Sequence, residues 1–135
     1  MFLRISIVGP VYPLRGGIAQ YTSILYLELK KKGHDVQIIN FKRQYPKFLF
    51  PGKTQNETSE EPIKVDSHII LDSINPWTWF RAYRIIKRYQ SDLVIFKYWM
   101  PFFAPCFGVI ARLTKWFSKA KTLFICDNIL PHEKR

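Results

Sequence analysis

The sequence predicts an α/β domain built on a doubly wound parallel sheet, and three features lead to that fold class. Short apolar runs alternate with longer runs whose apolar residues recur at helical spacing. The first apolar run, Ile5-Ser6-Ile7-Val8, breaks at Gly9-Pro10 into Pro13-Leu14-Arg15-Gly16-Gly17, and an amphipathic run begins at Ile18. A strand that turns through glycines into a helix presents backbone N–H groups to an anion at the end of a sheet. Asp35-Val36-Gln37-Ile38-Ile39-Asn40-Phe41 then supplies a second strand, which completes a βαβ unit with a right-handed crossover.

The elements follow in order. Residues 2–8 are expected to form a central strand, apolar on both faces as parallel strands between helices tend to be. Ile18, Tyr21, Leu25 and Leu29 share one face of the first helix, Lys30-Lys31-Lys32 suit its negative end, and Gly33 suits a left-handed C-cap. From residue 42 to residue 64 the character changes. Tyr45-Pro46, Pro51-Gly52, Glu57, Glu60, Glu61 and Pro62 predict a long excursion with little regular structure.

A short third strand is expected over residues 67–71, and Asn75-Pro76 has the form of a helix entry in which Asn caps and Pro occupies the first turn. The helix that follows, residues 77–89, mixes Trp77, Trp79, Phe80, Tyr83 and Tyr89 with Arg81, Arg84, Lys87 and Arg88. Strand four covers residues 92–97, Tyr98-Trp99-Met100-Pro101 leaves it as a loop, residues 103–118 form another basic helix, and residues 122–126 form strand five. The apolar stretch over residues 93–113 is long enough to suggest a membrane span, but Lys97, Pro101 and Pro105 interrupt it. Strand, loop and helix are expected there instead. The expected strand order is 3-2-1-4-5, with residues 1–135 in one Rossmann-like domain.

Composition narrows the partners. The 135 residues are 47% hydrophobic and 16% aromatic, ample for one core, while 21 Lys and Arg against 10 Asp and Glu leave a net charge of +11 at pH 7. Such a surface favours an anionic partner: a phosphate ligand, an acidic membrane or nucleic acid. Nucleic acid fits less well, since no recognised binding motif or groove-reading helix accompanies the charge. Cys106 and Cys126 have no metal-ligand spacing, so two buried thiols in a reducing compartment, and no metal site, are expected. Arg4 and Gly9-Pro10 cut the N-terminal apolar run short of a signal peptide, and a cytoplasmic location is expected.

In a doubly wound sheet, ligands sit at the carboxyl ends of the strands. Three segments converge there: the loop with Gly16 and Gly17, Tyr98-Trp99 after strand four, and residues 127–133 after strand five. The two glycines suit a phosphate or equally a tight turn without a ligand; their spacing matches neither a dinucleotide fingerprint nor a nucleotide P-loop. Asp127, His132 and Glu133 suit a general base or a hydroxyl-binding role, or else helix capping and solvent. His34 and His68 fall at strand starts, the other end of the sheet, and are read as structural. The helix over residues 77–89 suits an anionic bilayer or a sheet-covering role with a solvated basic face.

Taken in order, six segments resemble the N-terminal half of a family 4 retaining glycosyltransferase of the GT-B type. They are Gly16-Gly17-Ile18-Ala19-Gln20-Tyr21-Thr22; Leu29 with Lys32-Gly33-His34-Asp35-Val36; Asn75-Pro76-Trp77-Thr78-Trp79; Asp92-Leu93-Val94-Ile95; Trp99-Met100-Pro101-Phe102-Phe103-Ala104-Pro105; and Asp127-Asn128-Ile129-Leu130-Pro131-His132-Glu133. The resemblance implies metal-independent transfer of a sugar from a nucleotide-sugar, a co-substrate rather than a cofactor, to a glycan or lipid-linked acceptor. It gives Gly16 and Gly17 the donor-diphosphate loop, Tyr98, Trp99, Asn128, His132 and Glu133 the acceptor side, and Asp127 a catalytic place where many relatives carry His.

The same resemblance implies a second Rossmann-like domain that binds the nucleotide and supplies two glutamates and a basic residue. On that basis the chain is expected to be truncated, inactive alone, and dependent on a partner chain that carries the donor-binding half. Its sheet is expected to leave an uncovered edge after strand five, with marginal stability or self-association. A reading from a different class is a non-catalytic domain that binds a membrane surface, peripheral at the inner face.

Overall fold

The computed structural model describes residues 2–12, 17–43, 65–98 and 103–126. In chain order the elements are β1 (Arg4–Val8), α1 (Gly17–Lys31), β2 (Asp35–Arg43), β3 (His68–Asp72), α2 (Pro76–Arg88), β4 (Leu93–Tyr98), α3 (Ala104–Phe117) and β5 (Lys121–Cys126). All strand pairs are parallel and the order is β3-β2-β1-β4-β5, the doubly wound arrangement the sequence predicts. β1 lies at the centre, with Ile5 beside Val36 of β2 and Leu93 of β4.

Strand periodicity sends alternate residues to opposite faces, and each face has its own core. On one side Val8, Ile39, Phe41, Leu71, Val94 and Phe96 meet Ala82 and Ile86 of α2 and Phe107 and Ile110 of α3. On the other, Ile5, Ile7, Ile38 and Ile95 meet Tyr26, Leu25 and Leu29 of α1. β1 differs from the expected wholly apolar strand. Ser6 is buried on the face opposite Ile5 and Ile7, where its hydroxyl pairs with Ser91 Oγ at 2.7 Å and accepts from Gln37 Nε2 at 2.8 Å, so the buried oxygen is satisfied.

The helix ends have local causes. Asn75 Oδ1 accepts from Trp77 N at 3.1 Å and Pro76 opens α2, as predicted. α1 ends in a Schellman turn: Gly33 takes φ +97°, its N–H reaches Lys30 O, and His34 N–H reaches Leu29 O. α2 ends in the same pair of bonds, from Gln90 to Lys87 O and from Ser91 to Ile86 O, but the left-handed position, φ 59°, is Gln90.

Several boundaries and the burial of one thiol differ from expectation; β1, for one, begins at Arg4 and not at residue 2. Lys42 and Arg43 continue β2, so the irregular segment expected from residue 42 does not begin there; residues 44–64 lie outside the described residues. Tyr98 closes β4 instead of opening a loop, because it remains paired with Cys126 of β5. Cys126 is exposed, unlike the buried Cys106, because β5 has no neighbouring strand on its outer side among the described residues. Leu123 and Phe124 of β5 are also exposed, although Phe124 stacks on Phe96 with ring centres 4.7 Å apart.

Candidate functional site at the carboxyl edge of the sheet

β1 leads towards α1 and β2, while β4 lies on its other side, so the carboxyl ends of β1 and β4 form the switch point where doubly wound sheets bind ligands. Gly9 follows β1 there and donates to Ile39 O at 3.1 Å. A Cβ on Gly9 would lie 3.0 Å from Lys97 Cβ and 3.5 Å from Thr22 Oγ1. Glycine therefore lets β4 and α1 close on β1 from two sides.

Asn40, buried in β2, anchors the chain that leaves β1. Its Oδ1 accepts from Val11 N at 3.0 Å and Phe41 N at 2.8 Å, and its Nδ2 faces Val11 O, Tyr12 O and Ser67 Oγ at 3.2, 2.9 and 3.2 Å. One amide thus ties the start of the β1–α1 connection to the approach to β3. Such a satisfied buried network fixes geometry.

Lys97, one residue before the end of β4, is only 3% exposed. Strand alternation turns it to the α1 side, where its Nζ lies 3.8 Å from the centre of the Tyr21 ring. Tyr21 is on the second turn of α1, and the first turn of that helix contains no acidic residue. The Thr22 and Ser23 hydroxyls donate back to Ile18 O and Ala19 O, so they serve the helix itself. Lys97 and the amino end of α1 therefore lie on one side of the sheet's carboxyl edge, where backbone N–H groups of a helix terminus suit an anion.

A depression elsewhere on this edge, about 580 Å³, is lined by Lys42, Ile69, Ile70, Asp72, Asn75, Thr78 and Arg81. It offers an anion less. Asn75 already occupies the Trp77 N–H, and Thr78 Oγ1 accepts from Asp72 N at 3.0 Å.

Of the residues assigned from sequence, Gly17 is the first residue of α1. Tyr98 stands at the end of β4 but faces away from Lys97; its ring packs 6.3 Å from Phe107 and 6.4 Å from Phe124. Gly16, Trp99, Asp127, Asn128, His132 and Glu133 lie outside the described residues. At the amino edge, His34 Nδ1 accepts from Leu3 N at 3.1 Å and His68 Nε2 pairs with Gln37 Oε1 at 3.1 Å, consistent with structural roles. Burial, reinforced by Asp72, pushes the Cys106 thiol well above its ordinary range and keeps it protonated and unreactive.

Sequence reasoning assigned no site role to Asn40, Lys97 or Tyr21. A signal existed for two of them: a lysine ending the apolar run Leu93-Val94-Ile95-Phe96 and an asparagine inside an apolar strand are residues that burial disfavours unless something holds them. Among the described residues no group of three or more His, Cys, Asp or Glu is placed to hold a metal ion. None of the described helices is long and apolar enough to cross a membrane. Searches against protein-family models and curated proteins return no match to this chain.

Proposed function

We propose that this chain is the acceptor-side half of a retaining GT-B glycosyltransferase resembling family 4, with Gly16, Gly17 and the amino end of α1 receiving the diphosphate of a nucleotide-sugar. The observation that supports the reading best is the buried Lys97 on the α1 side of the β1–β4 switch point. A diphosphate gains negative charge as its bond to the sugar breaks, and an ammonium and backbone N–H groups fixed in advance favour that change. Asp127 is the proposed catalytic residue, with Trp99, Asn128, His132 and Glu133 on the acceptor side; Tyr98, packed against Phe107 and Phe124, supports that end of β4 from the opposite face. A donor-binding half on a partner chain or further sequence supplies the remaining groups. The domain works in the cytoplasm, peripheral to the inner face of a membrane when its acceptor is lipid-linked.

Calorimetric titration with inorganic pyrophosphate, read together with amide NMR shifts at Gly17, Ile18 and Ala19, tests the anion site. Saturable binding is expected, and Lys97→Met, which preserves much of the side-chain volume, is expected to weaken it about tenfold through loss of one charge-assisted contact. Absent binding, or binding indifferent to that substitution in a variant of native circular dichroism, overturns the anion-site assignment. Sugar transfer by the 135-residue chain alone is expected to be undetectable, because one half cannot enclose the donor or exclude water from it. Measurable transfer by the purified chain would refute the two-part arrangement.

A further inference from the structure

α2 and α3 pack side by side on one face of the sheet, and neither helix contains an acidic residue. On the outer side of α2, Trp77, Phe80, Arg81, Arg84 and Arg88 are exposed at spacings of three or four residues, one continuous stripe. From Phe80 a chain of aromatic rings crosses to α3. Phe80 lies 5.9 Å from Tyr83, Tyr83 lies 6.5 Å from Phe117, and Phe117 lies 6.4 Å from Trp116. Trp77, Trp116 and Phe117 are 77%, 64% and 55% exposed, large apolar surfaces left to water.

Cations border these rings on α2 and just beyond the end of α3. Arg84, Lys87 and Arg88 line a shallow depression with Phe80 and Tyr83, and Lys87 also lines the adjoining one with Phe117 and Lys119. The nearby carboxylate of Asp92 accepts from Arg4 N at 2.9 Å and pairs with Lys119 at 3.3 Å. The outer surface of the two helices is thus aromatic and cationic together. An anionic bilayer matches both properties, since lipid phosphates meet the cations while indole and phenyl rings enter the headgroup layer.

We propose that the α2–α3 surface seats this domain on an anionic membrane, with Trp77, Trp116 and Phe117 in the headgroup region and Arg84, Lys87 and Arg88 on lipid phosphates. The assignment deepens the peripheral membrane location proposed above by naming the surface that would carry it, and its test does not depend on sugar transfer. Because α1 and Lys97 lie on the opposite face of the sheet, the candidate anion site remains clear of the bilayer.

The test is co-sedimentation of the full chain with phosphatidylcholine vesicles, with and without phosphatidylglycerol, at low and high salt. Binding is expected only with phosphatidylglycerol and is expected to fade as salt rises. The triple variant R84A/K87A/R88A should weaken partition about 100-fold at low salt, roughly fivefold per cation removed. K30A/K31A/K32A removes the same charge from the end of α1 and should change partition far less. In the unsubstituted chain, brominated lipid should quench tryptophan emission, and W77A/W116A should lose most of that quenching while keeping native circular dichroism. Absence of binding to anionic vesicles, equal losses for the two triples, or quenching unchanged by W77A/W116A overturns the proposal. Binding to a single-stranded oligonucleotide without vesicle binding also overturns it and assigns the surface to nucleic acid.

Discussion

The two faces of the sheet are built differently. Beneath α2 and α3 the core is aromatic: Phe107 lies 5.3 Å from Phe96, 5.9 Å from Phe103 and 6.1 Å from Phe41, measured between ring centres. Beneath α1 the core is chiefly aliphatic, and the buried Lys97 and Thr22 lie at its carboxyl end. Large interlocking rings tolerate truncation poorly because the space they leave does not collapse. One face therefore carries most of the ring packing, and the other accommodates polar groups where the ligand is proposed to bind.

The largest expected effect is on the aromatic side. Phe107→Ala should lower unfolding free energy by about 3–5 kcal/mol, whereas Ile38→Val beneath α1 should lower it by about 1 kcal/mol. Urea unfolding checks both, and equal losses would break the contrast between the faces. Asn40→Ala should cost about 1–3 kcal/mol by leaving buried backbone groups without their partner. Hydrogen exchange should locate the damage at Val11, with less change in β5.

Smaller effects test the two helix ends. Gln90→Gly should stabilise by about 1 kcal/mol and Gly33→Ala should destabilise by a similar amount, because both positions take positive φ. A last effect concerns acid. The Arg4 backbone N–H, followed by the Lys119 ammonium, holds the Asp92 carboxyl below its ordinary range. Its stabilising contribution is complete above the ordinary carboxylate value of about 4 and is lost as pH falls through the depressed folded value. Asp92→Asn should flatten that part of the stability profile, and urea midpoints measured across acidic pH would show it.

Much of the fold was legible because its signals are local. Strand runs, the Asn75-Pro76 entry, Gly33 and the strand order all follow from patterns within a few residues and from the crossover rule. Gln90 was not legible as a left-handed position, since nothing about glutamine announces it; the bonds from Gln90 and Ser91 to the last turn of α2 impose it. The local sequence places Tyr98 in a loop with Trp99, Met100 and Pro101, while pairing with β5 keeps it in the strand. At the candidate site, Gly17 was read from its turn, but Asn40 bonds Val11 and Tyr12 across 29 and 28 positions. Contacts at that range leave no local signature.

The central place of β1 also sets an order in time. Its neighbour β2 comes soon after it, and the Leu3 N–H to His34 contact at this edge closes a separation of 31 residues. Its other neighbour comes much later, with Arg4 bonding Asp92 across 88 residues. Closing the longer loop has the greater entropic cost, and distant pairings slow folding. Pairing of β1 with β4 is therefore expected to follow its pairing with β2, so substitutions in β4 should slow folding less than equivalent ones in β2, which folding kinetics would check.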